Sequence, residues 1–121
     1  MPRTRVVLFR DADGVVPVLE WFDRLPEKAQ DKCLARIERL RESGYELRRP
    51  EADYLRDGIH ELRVRCAGVN YRMLDFFHGR TAVVVHGFDK QTSEVPRASI
   101  DKARERWAEF ALDPGRHTFE E

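Results

Sequence analysis

The chain has 121 residues, a length that suits one domain. Lys and Arg together number 22, as do Asp and Glu, and the zero formal net charge excludes nucleic-acid binding through bulk positive charge, so any basic surface must be local. The apolar run from Val6 to Phe9 is too short for a signal sequence, nothing approaches the roughly 18 apolar residues of a membrane span, and Cys33 and Cys66 lack CxxC spacing and read as core thiols. A soluble, cytoplasmic protein in a reducing compartment is expected.

Residues 5–10 read as a short strand, and Asp11-Ala-Asp-Gly14 as a turn. Pro17 suits the first turn of a helix over about 16–24, which carries Leu19, Trp21 and Phe22. Pro26 opens a second helix, about 26–43. Its stripe of Ala29, Cys33, Ile37 and Leu40 has helical spacing, with Leu34 beside it and Gly44 placed to end it. Residues 45–54 look irregular. From Leu55 to Phe88 the period changes to two: Leu62, Val64 and Cys66 alternate with Glu61, Arg63 and Arg65. Gly68 and Asn70 suggest a turn, Tyr71 to Phe77 a second strand, His78-Gly79-Arg80 a hairpin and Thr81 to Phe88 a third strand. Pro96 opens a last helix, about 96–112, with Ile100, Ala103, Trp107, Phe110 and Ala111 as its apolar stripe, and Asp113-Pro-Gly115 stops it.

The expected architecture is α+β: strand, helix, helix, three antiparallel strands, helix. The helices are expected on one face of a small, mainly antiparallel sheet whose other face stays open for function. The whole chain, 1–121, reads as one domain with an ordered core over about 4–112 and a polar, disordered tail over 113–121.

Chemistry would have to come from that open face. Arg63 and Arg65 point away from Leu62 and Val64, Arg72 lies on the next strand, and Arg56 and Lys90 flank the set. Such cations suit cleavage of RNA, where a ribose 2′-OH attacks the adjacent phosphate and charge gathers on phosphate oxygens. Arginine grips two such oxygens better than lysine. The bland alternative is strong, since surface arginines are usually solvated or paired with acids such as Asp57, Glu61 or Asp75. Of the histidines, His78 and His117 are expected at the surface. His86 is either an acid–base group or a hydrogen-bonded structural residue, and His60 is equally open. No metal-ligand spacing, phosphate loop or cofactor motif is present, so no metal and no cofactor are expected.

Several segments carry a family resemblance. Leu55-Arg-Asp-Gly-Ile-His-Glu-Leu-Arg63 resembles the L-x-D-G-(I/L)-(Y/W)-E-L-R stretch of the phage-derived HigB-like branch of RelE-superfamily toxins. Tyr71 to Arg80 looks like that family's next strand and hairpin. Val85-His-Gly-Phe-Asp-Lys-Gln-Thr92 is similar to its L-H-G-F-x-K-K-T signature, and Trp21 to Pro26 fits its W-F-D-x-L-P. The resemblance implies a RelE-like fold and the toxin of a type II toxin–antitoxin pair. It implies metal-independent cleavage of mRNA in the ribosomal A site, with a cognate antitoxin of helix-turn-helix type, the ribosome and mRNA as partners. Carried over by motif, the catalytic candidates are Arg63, Arg72, Lys90 and His86, and the RNA contacts Arg56, Arg65 and His60.

The sequence departs from the pattern at Gln91, which stands for a lysine, and at Glu94, which stands for a basic residue. It also departs at His60, which replaces an aromatic, and at Val95, which stands where a Ser/Thr cap is expected before Pro96. Two other functions stay in view: a ParE-like toxin that binds DNA gyrase, and a weakened member that only binds its antitoxin.

Overall fold

The computed structural model describes residues 3–90 and 94–120. Six strands form one sheet: β1 (Arg5–Phe9), β2 (Ala52–Arg56), β3 (Ile59–Cys66), β4 (Val69–His78), β5 (Thr81–Lys90) and β6 (Thr118–Phe119). Three helices accompany them: α1 (Pro17–Asp23), α2 (Glu27–Ser43) and α3 (Arg97–Leu112). The sheet order is β2-β3-β4-β5-β1-β6, with β1 parallel to β5 and the other neighbours antiparallel. No helix among the described residues is long and apolar enough to cross a membrane.

Three expectations need correction. The segment read as irregular ends in a strand, β2, joined to β3 by Asp57-Gly58 with φ of 54° and 81°. Two successive residues in the left-handed region make the tight hairpin turn whose twist matches the strands, and Asp-Gly is a preferred pair for it. A Cβ on Gly58 would also collide with the Trp107 indole, so glycine is required twice over.

The tail is ordered through residue 120. β6 pairs with β1, and His117, expected at the surface, is 7% exposed. Its ring stacks on Phe9 at 5.3 Å, and its Nδ1 lies 2.7 Å from the Arg10 carbonyl oxygen.

The third correction concerns the layers. α1 and α2 pack their stripes on one face of the sheet, where Val18, Trp21, Ala29, Cys33 and Ile37 join Val6, Leu62, Val64, Met73 and Val84. α3 packs on the opposite face, where Ile100, Ala103 and Phe110 join Val7, Phe9, Leu74, Phe76, Val83 and Val85. The helices therefore cover both faces. The cause is visible in β1 and β5. Each carries consecutive apolar residues, Val6-Val7-Leu8-Phe9 and Ala82 to Val85, so each has an apolar side on both faces to remove from water.

The two cysteines are free and buried among apolar neighbours, and burial raises the Cys33 thiol to about 12. α3 begins at Arg97 with Pro96 in the cap position, so Val95 is no failed cap; it packs against the α3-side core.

Candidate functional site

Period-two alternation on β3 sends Leu62, Val64 and Cys66 toward α2, which leaves Ile59, Glu61, Arg63 and Arg65 on the α3 side. Antiparallel register then sets Arg63 directly opposite Arg72 on β4, and Arg72 opposite Phe88 on β5. Facing residues in such a ladder stand only about 4.5–5.5 Å apart at Cβ, so two guanidinium groups there would repel. Glu61 resolves the conflict. Arg63 Nη1 donates to Glu61 Oε2 at 3.2 Å, while Arg72 Nε lies 3.1 Å from Glu61 Oε1. The Arg72 contact is an ion pair whose angle falls short of an aligned hydrogen bond. Arg72 Nη1 also donates to the Tyr71 carbonyl at 3.0 Å.

Burial separates the two arginines. Arg72 is 5% exposed and Glu61 2%, whereas the Arg63 side chain is 25% exposed. Burial pulls the Arg72 guanidinium below its usual value and the Glu61 charge opposes that pull. An arginine stays protonated across any ordinary pH, so the three groups hold one net positive charge. The trio is thus a buried Glu61–Arg72 base with Arg63 as its accessible head.

Arg63 and Glu61 form part of the wall of a cleft of about 420 Å³, with Arg49, Arg56, Asp53 and Glu94 around it. Arg49 donates to Asp53 Oδ2 at 3.0 Å, and this bond holds the Asp53 carboxyl below its usual range. Arg56 pairs with Asp57 at 2.8 Å. Asp57 also lies 3.9 Å from Arg104, and Glu94 adds a third carboxylate to a wall that carries three arginines. Asp53 and Arg49 are absent from the sequence candidates, and Glu61 stands there only as an acid with which a surface arginine could pair. The signal for Glu61 was its place between two inward-facing positions of β3, two residues before Arg63.

The other candidates fall in several places. Arg65 is exposed on the same side as Arg63, with Nη1 3.4 Å from Asn70 Oδ1. Lys90 is described only as backbone, opposite Asn70 at the end of β5, and Gln91 lies outside the described residues.

His86 shares the α3 side but not the trio. Leu74 stands between it and Glu61, which places the two strands about 10 Å apart. A register shift between Leu74 and Asp75 puts Val84 and His86, rather than adjacent β5 residues, opposite them. His86 Nδ1 lies 3.5 Å from Arg106 Nη1, and its ring stacks on Phe88 at 5.6 Å. Burial, then Arg106 and Lys102, push it down to about 4, so it is a neutral imidazole at pH 7. His60 lies on the opposite face of the sheet from Arg63, packed edge-on against Tyr54 and Phe77. Among the described residues no group of three or more His, Cys, Asp or Glu could hold a metal ion.

A mixed sheet covered by helices on both faces, with an arginine–carboxylate cluster on β3 and β4, defines a small α+β protein. The family model for Phage derived protein Gp49-like (DUF891) matches residues 20–108, a span that includes β2 to β5 and every residue of the trio. The chain belongs to this phage-derived Gp49-like family. No curated protein matches the chain.

Proposed function

We propose that the protein is the toxin of a type II toxin–antitoxin pair and that it cleaves mRNA in the ribosomal A site. The Gp49-like family is RelE/toxin-like, which supports the first half of this reading. The second half rests on one observation: Arg63 reaches the cleft with its guanidinium braced by a buried Glu61–Arg72 pair.

In the reaction proposed, a ribose 2′-OH loses its proton and attacks the adjacent phosphorus. The bond to the 5′-oxygen breaks, and that oxygen takes a proton. Arg63 holds the phosphate oxygens as their charge grows. A fixed cation of this kind is worth about 10²–10³ in rate where water is partly excluded. Arg72 acts one step back: it neutralises Glu61, so the carboxylate can orient Arg63 without cancelling its charge. Arg49 and Arg56 extend the contact along the RNA backbone, and the cognate antitoxin would cover the same cleft.

Inducible expression in bacteria tests this. Growth arrest with mRNA cut within codons is expected, and Arg63→Ala should cut the cleavage rate about 10²–10³-fold. Full toxicity in that variant would remove Arg63 from the chemistry. Gyrase inhibition with intact ribosome-bound mRNA would replace the nuclease by a gyrase-binding toxin.

A further inference from the structure

Tyr45, in the 3₁₀ turn Gly44–Glu46 after α2, and Tyr54, on β2, are 66% and 54% exposed. They stand at opposite sides of a cavity of about 510 Å³ on the α2 side of the sheet, with His60 and Phe77 in its wall and Arg48 and Asp53 beside them. The rings meet edge to face in a chain. Tyr54 contacts His60 at 5.0 Å, His60 contacts Phe77 at 5.5 Å, and Phe77 contacts Tyr45 at 6.4 Å. The frame is fixed by hydrogen bonds: the Gly58 N–H donates to Tyr54 Oη at 3.0 Å, and Arg48 donates to the carbonyls of Tyr45 and Leu47.

Two exposed tyrosines in a monomer's surface need no explanation singly. Their position does. Asp53 and Tyr54 line both this cavity and the Arg63 cleft, so β2 forms the ridge between an aromatic hollow and one walled by Arg49, Arg56 and Arg63 with their carboxylates. A single-stranded nucleotide has the same two parts, a flat base with a π face and an anionic phosphate. Aromatic side chains take successive bases by stacking, without reading their edges, while arginines track the backbone. A duplex could not straddle the ridge, because its bases are stacked inside.

We propose that the aromatic cavity takes an unstacked base of a single-stranded RNA whose phosphates lie in the Arg63 cleft, the strand passing over the edge of β2. This rests on the RNA-cleaving reading above and adds to it a base-binding subsite on the far face of the sheet.

Fluorescence anisotropy with the full chain tests the proposal. The probes are a labelled six-nucleotide oligoadenylate, an abasic ribose-phosphate oligomer of equal length, and an RNA duplex. The wild type should prefer the oligoadenylate to both other probes by at least about 10-fold. Tyr45→Ala and Tyr54→Ala should each weaken oligoadenylate binding about 10-fold, with the salt dependence unchanged, because stacking releases no counterions. Tyr45→Phe should bind as the wild type does. Arg63→Ala should instead reduce the salt slope by about 0.7, whichever oligomer is used.

Tyrosine variants that bind like the wild type, while Arg63→Ala still lowers the slope, would overturn the cavity and leave the cleft standing. Loss of both effects, or no binding to any oligomer, would overturn both. Release of a co-expressed antitoxin by Tyr45→Ala, with oligoadenylate binding intact, would assign the cavity to a protein and overturn the proposal. Tyr45 is largely in solvent, so its variants fold irrespective of the outcome, and a thermal melt checks this.

Discussion

Two buried carboxylates lie on opposite faces of neighbouring strands and meet opposite fates. Glu61, on β3, faces α3 and is 2% exposed between two guanidinium groups. Asp75, on β4, alternates with Met73 and Phe77 on the α2 side, is 1% exposed, and neither of its oxygens has a hydrogen-bond partner. Burial alone pushes the Asp75 carboxyl up to about 7. The same residue chemistry at the same depth is therefore an ionic keystone on one face and a destabilising group on the other. The difference lies in the partners. Arg63 and Arg72 are in direct register and need a counter-charge between them, whereas Asp75 stands opposite His60 and Val84, and neither gives its carboxylate a hydrogen bond. A buried charge is retained cheaply only where a second charge would otherwise be unpaired.

Removing Glu61 should break this contrast most. Glu61→Gln keeps the shape but leaves Arg72 buried without its counter-ion, at a cost of about 3–5 kcal/mol. The urea midpoint of unfolding should fall accordingly, with an unchanged m-value. A loss below about 1 kcal/mol would show that water reaches Arg72 and that the trio is not a buried unit.

Asp75 should respond in the other direction. Its folded pKa lies above that of the unfolded chain, so the native state holds its proton more tightly. Stability from this group is complete below about pH 4 and is lost as pH rises toward about 7. The separation of roughly 3 pKa units corresponds to about 4 kcal/mol at neutral pH, an upper figure because any water near the carboxyl shrinks it. Asp75→Asn removes the ionisation. Its stability at pH 7.5 should exceed that of the wild type by about 2–4 kcal/mol, and the gap should close near pH 4. Equal pH profiles for the two proteins would mean that Asp75 is paired in solution.

Much of this fold was legible in the chain, and the omissions have identifiable causes. The three helices follow from stripes at helical spacing with Pro17, Pro26 and Pro96 at their starts. β3, β4 and β5 follow from alternation broken at Gly68 and Gly79. β2 escaped because Ala52-Asp-Tyr-Leu-Arg56 has no apolar alternation of its own. The Asp57-Gly58 pair was the available sign that a strand precedes β3. The second helical layer escaped because α3 was assigned to a face by analogy with an open sheet, although the uninterrupted apolar runs of β1 and β5 require cover on both sides. β6 rests on two residues and on long-range contacts of His117, Arg5 and Glu120, which local composition cannot express.

For the site, alternation was enough to put Arg63 and Arg65 on one side and His60 on the other. Register was needed to bring Arg72 opposite Arg63, and burial to separate the accessible arginine from the internal one. Sequence leaves His86 open between two roles. Its position beside Arg106 on α3 depends on how a helix crosses the sheet, which no spacing in β5 encodes.

The smallest expected stability effect carries the sharpest distinction within the trio. Arg63→Ala leaves the Glu61–Arg72 pair in place and removes only the partly exposed contact, so the loss should be about 1 kcal/mol or less. Arg63→Lys should recover that stability but little of the proposed cleavage, because a point charge cannot hold two phosphate oxygens as a planar fork does. Denaturant melts of the two variants, set beside their rates of mRNA cutting, separate brace from head. If Arg63→Ala unfolds as easily as Glu61→Gln, then Arg63 is part of the keystone, and its effect on cutting would report a damaged cleft rather than a missing phosphate ligand.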